Sequence, residues 1–196
     1  MRVNASVLLF TVLFAGTVCR AQHSSGFHNF ETINIGLGAV VSIGEAYDGL
    51  WSVQPGLEGR IATEFYRGTV HLALGVFNNE DRGGSLPEFL VVQSALGWGY
   101  PIAVPAGVTL TGGGHFGATS MLFMEHEQAD DSHEIETELA AGMFVRADLP
   151  LSHNLGVFVE GDWTHVFTAI PITFTTMQGG IRFTASMPTW LRRVLR

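Results

Sequence analysis

The stretch "TINIGLGAVVSI", Thr32 to Ile43, alternates without a break. Ile33, Ile35, Leu37, Ala39, Val41 and Ile43 fall on one side; Thr32, Asn34, Gly36, Gly38, Val40 and Ser42 fall on the other. Alternation with period two is a strand signal, because successive side chains of a β-strand point to opposite faces. The open question is whether the apolar face meets a protein core or lipid. The answer decides the architecture.

The same alternation recurs at about 55–66, 69–78, 88–100, 107–123, 134–148, 154–166 and 171–184, with no helical stripe of useful length between. Together with 31–43 that makes eight strands. In the second, Leu57, Ile61 and Phe65 oppose Glu58, Arg60, Ala62 and Glu64. In the third, Val70, Leu72, Leu74 and Val76 oppose His71, Ala73, Gly75 and Phe77. In the sixth, Leu139, Met143 and Val145 oppose Glu136, Glu138, Gly142, Arg146 and Asp148. In the seventh, Val157, Val159 and Trp163 oppose Phe158, Glu160 and Asp162.

The second face mixes glycine and alanine with single charges of both signs, which is how a narrow barrel interior fills with side chains. A soluble ligand-binding barrel has the reverse arrangement, with large apolar residues inside and a charged exterior. Here the apolar face is continuous and ends in Trp98, Tyr100, Trp163 and Phe183. Aromatic residues at strand ends form the girdle of a bilayer interface. The apolar side of residues 32–43 is therefore expected to face lipid, in an all-β, eight-stranded antiparallel up-and-down transmembrane barrel over residues 31–184. A closed barrel lets β-structure satisfy its backbone in lipid. In the last strand Phe174 falls on the wrong side, which predicts a bulge or register change near Thr175 and Thr176.

The connections alternate in character. Those after strands two, four and six are short: Arg67-Gly68, residues 101–106 and residues 149–154. The others are the acidic tracts 46–54, 78–88 and 125–134, and a short one at 169–171. Short turns belong on the periplasmic side of an outer-membrane barrel and longer loops outside.

Residues 1–21 read as a secretory signal peptide: Arg2 is the positive end, Val7 to Ala15 the apolar core, and Cys19-Arg20-Ala21 the small-x-small cleavage site. Cleavage leaves residues 22–196, a one-domain length, with 22–30 as an N-terminal segment. Cys19 is the only cysteine, so the exported chain is expected to carry no disulfide and no thiol chemistry. The net charge is −8, there is no lysine, and the loss of Arg2 and Arg20 makes the chain more acidic still. That balance sets nucleic-acid binding aside.

Signal peptide, eight alternating strands and the closing strand "TMQGGIRF" (176–183) together resemble the small eight-stranded outer-membrane β-barrel proteins of diderm bacteria. The resemblance covers residues 30–184. Its most specific piece is Gly179-Gly180-Ile181-Arg182-Phe183, which is similar to the terminal signal that the family presents to the outer-membrane barrel assembly machinery. It implies a bacterial outer-membrane location, with outer-membrane lipid and that machinery as partners. The chain departs from the family by continuing past the aromatic as a basic, amphipathic tail, residues 185–196. There Trp190, Leu191, Val194 and Leu195 are apolar and Arg192, Arg193 and Arg196 basic, a composition suited to an interfacial anchor.

Ten charged residues are expected to point inward: Glu58, Arg60, Glu64, Glu136, Glu138, Arg146, Asp148, Glu160, Asp162 and Arg182. Such charges are costly unless paired and hydrogen-bonded, and arginine's planar fork suits the task. An ion-pair network that plugs the lumen is the first expectation, and a narrow cation-preferring path the alternative, since carboxylates outnumber arginines. Trp98, Tyr100, Trp163 and Trp190 are the expected interface anchors. The tract 125–134 gathers two histidines and five carboxylates, a set able to attract divalent cations but without a recognised zinc spacing. Its Asp130, Asp131, Ser132 and His133 carry the residue types of an outer-membrane lipid acyltransferase or deacylase, yet neighbours on one loop seldom converge on one point. "GGGHFG" (112–117) lacks the Lys-Ser/Thr of a phosphate loop and sits in a strand. No catalytic residue, metal or cofactor is expected, and the role read from the sequence is structural or surface-interactive.

Overall fold

The computed structural model describes residues 29–43, 51–83, 87–124, 135–168 and 172–195. The expected signal peptide, most of the N-terminal segment and the tract 125–134 lie outside them. The strands are β1 (Thr32–Ser42), β2 (Trp51–Val53), β3 (Gly56–Phe65), β4 (Gly68–Asp81), β5 (Glu88–Ala103), β6 (Thr109–Met124), β7 (Ile135–Pro150), β8 (Leu155–Val166) and β9 (Ile172–Ser186). They are followed by one helix, α1 (Thr189–Leu195).

All neighbouring strands pair antiparallel, in the order β1-β3-β4-β5-β6-β7-β8-β9. β9 closes back on β1 from Thr32↔Ser186 to Ser42↔Thr176. The result is an eight-stranded barrel, with β2 as a short extension of β3 along β4. The strands of the closed wall run from 10 to 16 residues, against the 9–11 or so that a tilted strand needs to cross a bilayer. Among the described residues, no helix is long and apolar enough to cross a membrane.

The opening question is answered by exposure. Ile35, Leu37, Val41 and Ile43 stand outward, Leu37 at 55 % exposed, while Gly36, Gly38 and Val40 are buried. The same holds around the wall, from Leu57 and Ile61 through Leu72, Leu74 and Phe116 to Leu139 at 70 %. A continuous apolar exterior of this kind is rare on a water-soluble monomer and usual on a wall that meets lipid.

Several local expectations change. No bulge occurs at Thr175 and Thr176: β9 stays in register with β8 through Trp163↔Thr175 and Asp162↔Thr176, and with β1 through Ser42↔Thr176. Phe174 is an inner-face residue in the same parity as Gln178 and Arg182, and it is buried because the interior at its level is apolar. The first short turn is Tyr66-Arg67 rather than Arg67-Gly68. Both residues have positive φ, 47° and 64°, the twist that a two-residue hairpin requires. Gly68 already belongs to β4.

The wall also rises further at the loop end than the alternation suggests. Residues 51–53, placed by the sequence in a loop, pair with residues 79–81. Between Val53↔Asn79 and Leu57↔Val76 the β2–β3 side has one residue more than β4. This is a bulge at Gln54-Pro55, a place where proline's missing N–H costs the ladder nothing, while Gln54 N–H still donates to the Asn78 carbonyl at 2.8 Å. At the other end β5 continues through Pro101 to Ala103, beyond its last pair with β4, Thr69↔Gly99. Its edge there needs no donor on the β4 side.

Candidate functional site

The polar inner-face residues converge on one connected cluster in the turn-end half of the lumen. Arg60 in β3 is buried and bonds Glu160 in β8 through both Nη atoms, each at 2.5 Å. Its Nε and Nη2 reach Glu58 at 3.2 and 2.9 Å. Arg146 in β7 donates to Asp148 through Nε and Nη2 at 2.9 and 3.2 Å and lies 3.6 Å from Glu160. Its guanidinium stacks over the Phe158 ring, 3.7 Å from the centroid. Arg182 in β9 lies 3.5 Å from the same Asp148. Arginines and carboxylates thus interleave across β3, β7, β8 and β9. Arg60 and Arg146 each present a fork to carboxylate oxygens, the geometry for which arginine rather than lysine is suited.

Four of the ten predicted network residues stand apart. Glu64 lies nearer the turn-end rim, where it accepts from the Thr32 backbone N–H at 3.1 Å and from the Thr32 hydroxyl. Asp162 accepts from the Thr164 hydroxyl at 2.5 Å and lies 3.1 Å from His115 Nε2. Glu136 is exposed, and neither it nor Glu138 forms an ion pair with a described residue. Both sit on the inner face of β7 near its loop end, above the reach of the three arginines.

His71 and His115 owe their places to glycines on the neighbouring strands. A Cβ on Gly97 would meet the His71 ring, and one on Gly142 the His115 ring. His71 packs edge-on to Phe144, with centroids 5.0 Å apart. The set His115, Asp162 and Thr164 superficially resembles a nucleophile, base and acid. The Thr164 hydroxyl donates to the Asp162 carboxylate at 2.5 Å and also lies 3.4 Å from His115 Nε2.

Toward the loop end the lumen changes character. Phe77, Phe89, Val91, Met121, Val166 and Phe174 form a buried cluster, with Val91 and Val166 wholly inaccessible. Phe77 and Phe174 meet edge to face at 5.6 Å, as do Trp51 and Phe89 at 5.5 Å. Reading the sequence strand by strand does not assemble this layer. Its signal is an apolar residue at inward parity near the loop end of β4, β5, β6, β8 and β9. A cavity of about 120 Å³ lies in the turn-end half beside Asn34, Thr111, Arg146 and Arg182, and one of about 30 Å³ lies between Glu58, Gln93, His115 and Gln178.

The residues expected as interface anchors stand at both rims. Trp98 and Tyr100 stand outward near the turn end, where Trp98 Nε1–H donates to the Phe65 carbonyl at 3.2 Å. Trp163 stands outward near the loop end, stacked on His165. Trp190 lies on α1. Gly179 to Phe183 lie inside β9, between β1 and β8, and the strand runs three residues past the aromatic. The tract 125–134, with its candidate ligands and its Asp130, Asp131, Ser132 and His133, lies outside the described residues.

No family model and no curated protein sequence matches the chain. Solved structures do. The Neisserial surface protein A superposes with a TM-score of 0.54 at 10 % identity, covering 77 % of this chain and 96 % of its own. A major outer membrane protein from Thermus thermophilus gives 0.53 at 13 % identity, covering 79 % and 99 %. The outer membrane protein OprG from Pseudomonas aeruginosa gives 0.51 at 12 % identity, covering 81 % and 97 %. At these identities the likeness is one of fold. The chain has the architecture of the small eight-stranded outer-membrane barrels, and its structural neighbours are bacterial outer-membrane proteins.

Proposed function

We propose that this protein is a non-enzymatic outer-membrane barrel whose lumen is closed to ions and whose role is structural or surface-interactive. One observation carries the reading: the lumen holds two unlike layers in series. The arginine–carboxylate cluster ties β3, β7, β8 and β9 together across the turn-end half. The Phe77–Phe174 layer lies beyond it toward the loops. Ions cross low-dielectric apolar matter only at large cost, so a barrel sealed by such a layer does not conduct.

A narrow cation-preferring pore is the second reading. The excess of inward carboxylates favours it, but the three inward arginines neutralise Glu58, Glu160 and Asp148 in place. The acidic tracts 46–54, 78–88 and 125–134, the first two of which run partly in β2 and β4, would be the interacting surface, suited to divalent cations or basic partners. The closing strand with Gly179 to Phe183 is the segment we assign to recognition by the barrel assembly machinery.

Single-channel conductance of protein refolded into a planar bilayer tests the reading, with folding confirmed by the gel-mobility difference between unheated and boiled samples. Silence from folded protein is the expected result. A steady cation-selective current would overturn the closed lumen and put the pore reading first.

A further inference from the structure

Charge is unevenly placed along the barrel axis. The chain has ten Lys and Arg residues, all of them arginine. Arg60, Arg146 and Arg182 are consumed inside the lumen. Of the other described arginines, Arg82 lies at the loop end, whereas Arg67, Arg192 and Arg193 lie at the turn end, with Arg196 following in sequence.

Helix α1 gives this asymmetry a shape. It begins three residues after the end of β9, so it sits at the level of the turn-end rim. Met187 anchors it: the residue is buried, and its N–H donates to the Glu31 carbonyl at 2.8 Å. Arg192 N–H then closes a helical turn on the Pro188 carbonyl at 3.0 Å. At 100° per residue, Trp190, Leu191, Val194 and Leu195 share one arc of the helix and Arg192 and Arg193 the opposite one. Trp190 is 68 % and Val194 75 % exposed and both stand clear of the barrel, whereas Leu191 and Arg192 are half-buried and Arg192 Nη2 donates to the Met187 carbonyl at 3.5 Å. The neighbouring exterior at this rim is aromatic: Phe65, Tyr66, Trp98, Tyr100 and Phe183.

An exposed tryptophan–valine row flanked by arginines is poorly suited to water and well suited to a membrane surface. There the apolar arc enters the acyl boundary while the guanidinium groups meet phosphate. We propose that α1 and the adjoining turn-end rim bind the headgroups of anionic phospholipids in the leaflet that meets this end of the barrel. The proposal rests on the membrane-spanning reading of the barrel. A zwitterionic lipid offers the same acyl chains but no net charge, so the arginines confer selectivity as well as attachment.

The test uses the folded full-length protein in a zwitterionic detergent, incubated with an equimolar mixture of phosphatidylglycerol and phosphatidylcholine and then freed of unbound lipid. A surface arginine near an anionic lipid contributes about fivefold, so retained phosphatidylglycerol should exceed phosphatidylcholine at least fivefold. The enrichment should shrink as salt is raised. In the triple variant R192Q/R193Q/R196Q it should fall to near parity, while R192K/R193K/R196K should keep most of it. Equal retention of both lipids by the wild-type protein would overturn the proposal, as would enrichment unchanged in the triple glutamine variant. The gel-mobility difference separates this from the underlying reading: its absence in the wild-type protein would refute the folded membrane barrel itself.

Discussion

Arg60 bonds Glu160 through two Nη atoms at 2.5 Å and also holds Glu58, and Glu160 is 1 % exposed. Removing the guanidinium leaves a buried carboxylate with its nearest remaining cation, Arg146, at 3.6 Å. Arg60→Ala is therefore expected to destabilise the barrel by about 3–5 kcal/mol, the cost of an uncompensated buried charge. Arg60→Met combined with Glu160→Met should recover part of that loss, because the fully buried carboxylate goes with its partner while the less buried Glu58 still loses Arg60. Urea unfolding of refolded protein in vesicles measures both. Phe174→Ala, at a site 1 % exposed, should cost about 3–5 kcal/mol by opening a cavity in the loop-end layer. Arg60 and Glu160 are legible in the sequence as inward residues, because parity assigns a face. Their pairing is not, because it depends on which strands lie across the lumen, and that follows from the shear of the closed barrel.

The hairpin between β3 and β4 turns through Tyr66 and Arg67, both at positive φ, where L-residues other than glycine, asparagine and aspartate are strained. Replacing the pair by Asn-Gly is expected to raise stability by about 1 kcal/mol, read as a higher urea midpoint. An unchanged or lower midpoint would mean that Tyr66 contributes more through its rim packing than the turn loses in strain. The opposite sensitivity is expected at Gly97, whose missing side chain leaves room for the His71 ring and the Gly114 carbonyl. Gly97→Val should abolish the gel-mobility difference that marks the folded barrel. All eight wall strands can be read from alternation alone, since a wall with lipid on one face and a narrow lumen on the other enforces period two. The extension β2 and the last residues of β4 cannot. Beyond the bilayer their outward residues need not be apolar, so the pattern that reveals a strand fades.

At the scale of the molecule, the barrel has an apolar exterior and an interior lined by ion pairs toward the turn end and by apolar side chains toward the loop end. The exterior is legible from alternation. The apolar loop-end layer is not, because an inward Phe174 looks like an error of register until the interior is known to change polarity along its length. Site-by-site labelling shows directly whether the alternating apolar face meets lipid. With Cys19 replaced by alanine no native thiol remains, so single cysteines can be introduced at Leu37, Ala39, Leu72 and Leu74 on the outer face and at Ala73 and Ala95 on the inner face. The label is a fluorophore read in vesicles containing brominated acyl chains. The four outer sites should be quenched by the lipid and shielded from a water-soluble quencher, while the two inner sites escape lipid quenching. Outer-face labels open to the aqueous quencher and untouched by brominated lipid would contradict the account.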